Sequence, residues 1–190
     1  MSHPDHKTDD MTLRNDSTRY GSLSIGLHWL TLLLLVGVYA CIELHEAFPK
    51  GSDTREALKT WHFMLGLTVL GVTLLRLAVA AGARTPAIVP DPPLWQKRAG
   101  KAMHVALYLL LVGMPLGGWL LLSAAGKPIP FFGSTLPPLV GESKGLADIV
   151  KEVHETGGNV GYFLIGLHAA AALFHHYVVG DNTLRRMLPR

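Results

Sequence analysis

One cysteine in 190 residues, Cys41, excludes an internal disulfide and leaves no Cys cluster for zinc or for iron and sulfur. Charge is scarce too. Only 16% of residues are charged against 49% hydrophobic, and the mean hydropathy of +0.29 is too high for an ordinary soluble domain. No nucleic-acid motif occurs, and a formal charge of +3 on so apolar a chain reads as membrane orientation and surface field. The first twenty residues hold no apolar h-region, so no cleavable signal peptide is expected and the first apolar helix itself directs insertion. These shortages together leave a single membrane domain.

Long apolar runs are what the chain has in quantity. Residues 1–19 mix Asp, Lys, Thr, Ser and His without periodicity and read as a disordered tail, with His3 and His6 solvated. Residues 20–190 form the membrane domain. Its first span begins at Tyr20 and carries His28 about six residues inside, with Tyr20 and Trp29 as interface anchors. Pro, Gly and charges from His45 to Lys59 take the chain out of the hydrocarbon. A second span runs from Trp61 to about Gly82, with His62 at its start and Arg76 near its end, within reach of the headgroups. The Pro-rich, basic stretch after it is a loop. A third span from about Ala99 to Leu122 has His104 close to its start and Pro115 as an expected kink. The next stretch, with four prolines and the pair Phe131 and Phe132, is too long for a turn and reads as a structured cap over the bundle. The last span is His154 to Tyr177, and the tail GDNTLRRMLPR returns to water.

Of the 17 Lys and Arg, only Lys50, Arg55, Lys59, Lys127, Lys144 and Lys151 fall on the side opposite the two termini. The positive-inside rule therefore places both termini in the cytoplasm. The expected fold is all-α, a transmembrane up-and-down four-helix bundle.

His154 and His168 organise the bundle's interior. Fourteen residues apart, they lie about 21 Å apart and within roughly 40° of one helix face. An imidazole inside a membrane is costly unless it faces a partner, and two stacked across nearly the hydrocarbon thickness point to two cofactors, one per leaflet. Haem iron suits them, because it takes a neutral imidazole nitrogen within an apolar pocket. The alternative is a helix whose histidines bond neighbouring carbonyls. By depth, His62 pairs with His154 near the outer surface, and His28 pairs with His168 in the cytoplasmic half. His104 competes with His168 for His28, but His168 shares a face with His154. His175, seven residues past His168, points inward at the cytoplasmic mouth, where it could bond a quinone head or cap the helix. His176 and His45 read as exposed.

The quoted motifs resemble the bacterial di-haem cytochrome b561 family, superoxide oxidase branch, from Tyr20 to Pro189. They are LHWL at His28, WH at His62, HVALYLL from His104, and HETGGNVGYFLIGLHAAAALFHHY followed by DNTLRRMLPR. The stretch before Tyr20 is longer than the family pattern needs. The resemblance implies two haem b groups ligated at the positions of His28, His62, His154 and His168, and electrons passing from superoxide outside to ubiquinone. On that reading Lys127 and Lys151, with Lys144 and Lys50, form a basic rim that attracts superoxide, or keep a loop soluble. Arg76 and Arg84 face propionates of the inner haem or, the favoured reading, lipid phosphate. The rival classes are a non-catalytic cytochrome b subunit anchoring a dehydrogenase or hydrogenase, and a histidine-lined metal transporter.

Overall fold

The computed structural model describes residues 13–189. Four helices dominate it: α1 (Ser22–Leu44), α2 (Asp53–Ala81), α3 (Leu94–Ala124) and α4 (Lys144–Phe174). All four are long and apolar enough to cross a membrane, and successive helices pack side by side as an up-and-down bundle. The protein is a multi-pass membrane protein. Its side chains are sorted for lipid: Leu33, Leu109 and Phe163 face outward, at 68%, 70% and 80% exposure, as in a protein whose apolar surroundings replace water.

The helices are longer than the apolar runs. At 1.5 Å per residue the 31-residue α3 and α4 reach about 46 Å, well beyond a hydrocarbon core of about 30 Å, so their ends stand in the interface. This is why α2 starts at Asp53 rather than near Trp61, and α4 at Lys144 rather than His154. Ser52 and Ser143 cap those polar first turns by accepting from the amides of Arg55 and Leu146. Helix α3 runs on through Pro115.

One end of the bundle carries a short antiparallel hairpin, β1 (Ile129–Phe131) and β2 (Ser134–Leu136), on the cap expected there. Phe132 at its tip has φ 43°, packs edge-on against Trp61 at 6.3 Å, and its amide meets Met64 Sδ at 3.3 Å. At this hairpin end the sequence reading of His45 as exposed is overturned. His45 is buried, its Nδ1 on the Ile42 carbonyl and its Nε2 3.0 Å from Glu46. The cause is Arg55, also buried, which donates to the carbonyls of His45 and Phe48 and to the Glu46 carboxylate, so the loop folds around one guanidinium.

The opposite, terminal end is strapped. After α4 the backbone widens into a π-helical turn (His175–Val179), and Gly180, at φ 75°, reverses the chain. Contrary to expectation, the tail beyond it does not return to water. Asn182 exchanges two backbone-directed bonds with Val89, Arg186 is buried on the Pro86 carbonyl, and Trp29 donates to the Met187 carbonyl at 2.8 Å. Arg19 reaches the carbonyls of Arg185 and Leu188, and Asn15 bonds Ser24 and the Arg84 carbonyl, so residues 13–19 lie against the bundle. His3 and His6 lie outside the described residues.

Candidate functional site

Histidines are the main chemistry-bearing residues inside the bundle, and the helices gather them at two levels, two rings at one and three at the other. His62 on α2 faces His154 on α4 toward the hairpin end, with ring centres 6.3 Å apart. His28 on α1 faces His168 on α4 toward the terminal end, also at 6.3 Å. These are the two pairs expected from depth and helix face. Among the described residues no cluster of three or more His, Cys, Asp or Glu is arranged to hold a metal ion.

The two pairs share one spacing, which leaves room for a group that both imidazoles of a pair would hold. His104, on α3, lies closer to His168, at 5.5 Å between ring centres.

The second nitrogen of each ring decides how well it suits a metal, because a ligating histidine normally donates its other N–H to a carbonyl or carboxylate. His62 fits without change, its Nδ1 3.0 Å from the Val38 carbonyl, which leaves Nε2 free. His154 Nδ1 is buried without a well-formed bond, facing the Met114 carbonyl. Gly118 lets that ring approach α3 closely, since a Cβ there would stand 3.3 Å from it. A groove of about 290 Å³, lined by Leu110, Gly113, Val150 and Gly157 among others, opens beside His154. At His28, Arg76 Nη2 donates to Nδ1 across 3.2 Å, so metal binding through Nε2 requires Arg76 to release that nitrogen. Arg76 also holds Thr31 Oγ1 at 3.2 Å and stacks over Tyr108, and no carboxylate pairs with it among the described residues. The lipid-facing reading of Arg76 is therefore corrected: it turns inward, toward the inner pair. Two imidazole pairs are thus in place, with the Arg76 guanidinium beside the His28–His168 pair.

The sequence has relatives among known proteins. The family model for prokaryotic cytochrome b561 matches residues 19–190. The chain belongs to the prokaryotic cytochrome b561 family. Cytochrome b561 homolog 1 of Escherichia coli K12 is 42% identical over 90% of this chain and 98% of its own length. A Yersinia pestis protein named probable superoxide oxidase CybB is 37% identical, covering 90% of this chain and 97% of that one. Cytochrome b561 homolog 2 of Escherichia coli is 28% identical over 94% and 95%. A cytochrome b561 transfers electrons and carries b-type haem, and the donor sets at His62–His154 and His28–His168 suit such a group.

The remaining site residues lie at the two ends. Lys127 and Lys151 are exposed at the hairpin end; Lys151 lies 3.7 Å from Glu155 one turn on, and the structure gives the two lysines no shared partner. His175 lies at the terminal end, and its partner, Asp181, was not singled out from the sequence. His175 Nδ1 is 2.5 Å from Asp181 Oδ2, whose other oxygen accepts from the Thr183 amide. Burial pushes the Asp181 carboxyl up, but the bonds from His175 and Thr183 outweigh it and hold the group below the usual Asp value. The one available sequence signal was Gly180, a residue that commonly ends a helix in the left-handed conformation and turns the next side chain back.

Proposed function

We propose that this chain is a superoxide:ubiquinone oxidoreductase of the bacterial inner membrane, with both termini and the strap cytoplasmic and the hairpin end periplasmic. The observation that carries the reading is the stack of two imidazole pairs, each with ring centres 6.3 Å apart, toward opposite ends of a single bundle. The likeness to a protein named as a superoxide oxidase supports the choice of donor. Two haem b groups, one between His62 and His154 and one between His28 and His168, would supply one-electron redox chemistry. Two superoxide anions are oxidised to two O2, and their electrons with two protons convert one ubiquinone to ubiquinol.

The chain's own residues position and charge the site. Lys127 and Lys151 would offer a small anion local positive charge at the hairpin end, Lys151 with Glu155 3.7 Å away. His62 is oriented by the Val38 carbonyl, and Gly118 admits the His154 ring. Once His28 Nδ1 is released, the Arg76 guanidinium is available to a propionate of the inner group. His175 offers a hydrogen bond to the quinone head at the terminal end.

A pyridine haemochrome assay on the purified chain, followed by stopped-flow oxidation with ubiquinone-1 after reduction by potassium superoxide, tests cofactor count, donor and acceptor together. Two haems per chain and quinone-dependent reoxidation are expected. A chain that binds haem yet stays idle with superoxide and quinone would instead be an electron-transfer subunit awaiting a partner, and a colourless chain would refute the reading altogether.

A further inference from the structure

A histidine and an aspartate six residues apart do not meet on a straight α-helix, where that spacing turns about 120° away and rises about 9 Å. Here they meet at 2.5 Å because the π-helical turn widens the backbone at His175 and Gly180 reverses it. The strap holds that reversal. Asn182, next to the aspartate, is fixed on Val89, and the Asp181 amide bonds the His175 carbonyl. A rare backbone form and five docked residues thus hold one carboxylate, 2% exposed, against one imidazole edge. The other ring nitrogen, Nε2, has no protein partner among the described residues, and the side chain keeps 19% exposure.

We propose that His175 and Asp181 are a proton-delivery dyad for the electron acceptor at the terminal end. This deepens the reading of the chain as a quinone reductase and rests on it. Asp181 accepts from Nδ1–H and so fixes the ring with Nε2 toward the acceptor. When the quinone has taken up an electron, the Nε2–H bond of the imidazolium breaks and an O–H bond forms on the quinone oxygen. The imidazole left behind keeps its Nδ1 proton and recovers the other from water on that side. Repeating the step supplies the second of the two protons that ubiquinol needs, the two electrons coming from two superoxide anions. His175 is the catalytic residue and Asp181 the positioning one.

Other charged or titratable groups stand on the elements around this end: His28 on α1, Arg76 on α2, His104 on α3, and Arg19 and Arg186 beside the strap. None of them pairs with Asp181 among the described residues, whose carboxylate meets only His175 and Thr183. The dyad is therefore electrically its own unit.

The test compares wild type, Asp181→Asn and Asp181→Glu as full-length protein, each reduced by potassium superoxide. Two acceptors are used: ubiquinone-1, which takes up protons, and ferricyanide, which takes up none. The ratio of quinone to ferricyanide turnover is expected to fall at least tenfold in Asp181→Asn and to recover at least partly in Asp181→Glu. The pH at which quinone turnover is half-maximal is expected to move to lower pH in Asp181→Asn. An unchanged ratio overturns the dyad, and so does a lowered ratio with a superimposable pH profile, which would mean that Asp181 only holds the strap. Wild type that reduces ferricyanide but not ubiquinone-1 overturns the acceptor reading itself, an outcome separate from either.

Discussion

Removing the imidazoles one at a time separates the four paired histidines from His104. The His28–His168 and His62–His154 rings share one spacing, 6.3 Å, whereas His104–His168 stands at 5.5 Å, and that shared spacing is what singles out the two pairs as the residues that would hold the haems. His28→Ala and His168→Ala should therefore each lower the haem-to-protein ratio from about two to about one, and so should His62→Ala and His154→Ala. Double variants within a pair should lose no more than either single one, because the pair holds one group. Double variants across pairs should lose both. His104→Ala should keep both haems. The assay is a pyridine haemochrome measurement against quantitative amino-acid analysis, with dithionite-reduced difference spectra to show which species is missing. The reasoning is refuted if His104→Ala loses a haem while His28→Ala keeps both, since spacing would then have chosen the wrong partner for His168.

Further consequences follow from single contacts. Arg55→Met leaves the carbonyls of His45 and Phe48 without their donor in a buried loop, which should cost about 2–4 kcal/mol and lower the melting temperature in detergent, with haem content as a check on the helices. Gly161→Ala places a methyl group on the Tyr39 hydroxyl and breaks its 3.0 Å bond to the Gly158 carbonyl between α1 and α4, a loss of about 1–3 kcal/mol readable in the same melt. Because the Asp181 carboxyl lies below its ordinary value in the folded chain, the stability it lends is complete above about pH 5 and is lost as pH falls through the ordinary Asp value near 3.9 and below. Hydrogen exchange at residues 181–189 should accelerate in that acid window and not between neutral and mildly acidic pH. Reversing charge with Lys127→Glu and Lys151→Glu together should slow haem reduction by superoxide about threefold to tenfold at low ionic strength, the difference shrinking as salt is added; a salt-independent deficit would mean that the lysines act by contact rather than by field.

The bundle and its paired histidines were legible because they obey a period. Each span announced itself as an apolar run of membrane length, and the stack of His154 and His168 followed from 3.6 residues per turn. The failures lie where another constraint replaces the period. Helices α2 and α4 begin some eight to ten residues before their apolar runs, since the interface tolerates a polar first turn that hydropathy counts as loop. His45 was read as exposed because the residue that buries it, Arg55, stands ten positions further on and reaches back. Arg76 near a helix end can bend either to lipid or to the interior, and only the positions of Thr31 and His28 settle its direction. Asp181 was lost in an apparently solvated tail, because the π-helical turn shifts the phase of everything after His175.

The placement of the dyad also bears on energy coupling. On the proposed reading, oxidation of superoxide releases no proton, and quinone reduction consumes two, so all proton chemistry falls at the terminal end, where His175 and Asp181 stand. Only the electron crosses. The histidine stack spans about 21 Å of a core about 30 Å thick, roughly seven tenths of the membrane field if the drop is uniform. Moving one electron inward through that fraction, toward a negative interior, costs about 1.6 kcal/mol at 100 mV. Had the proton donor stood at the hairpin end, each proton would have had to follow the electron through the bundle, and the charge movement would have cancelled. On that reading a carboxylate and an imidazole held together at the terminal end would keep the two apart, so that each turnover would add to the membrane potential instead of discharging it.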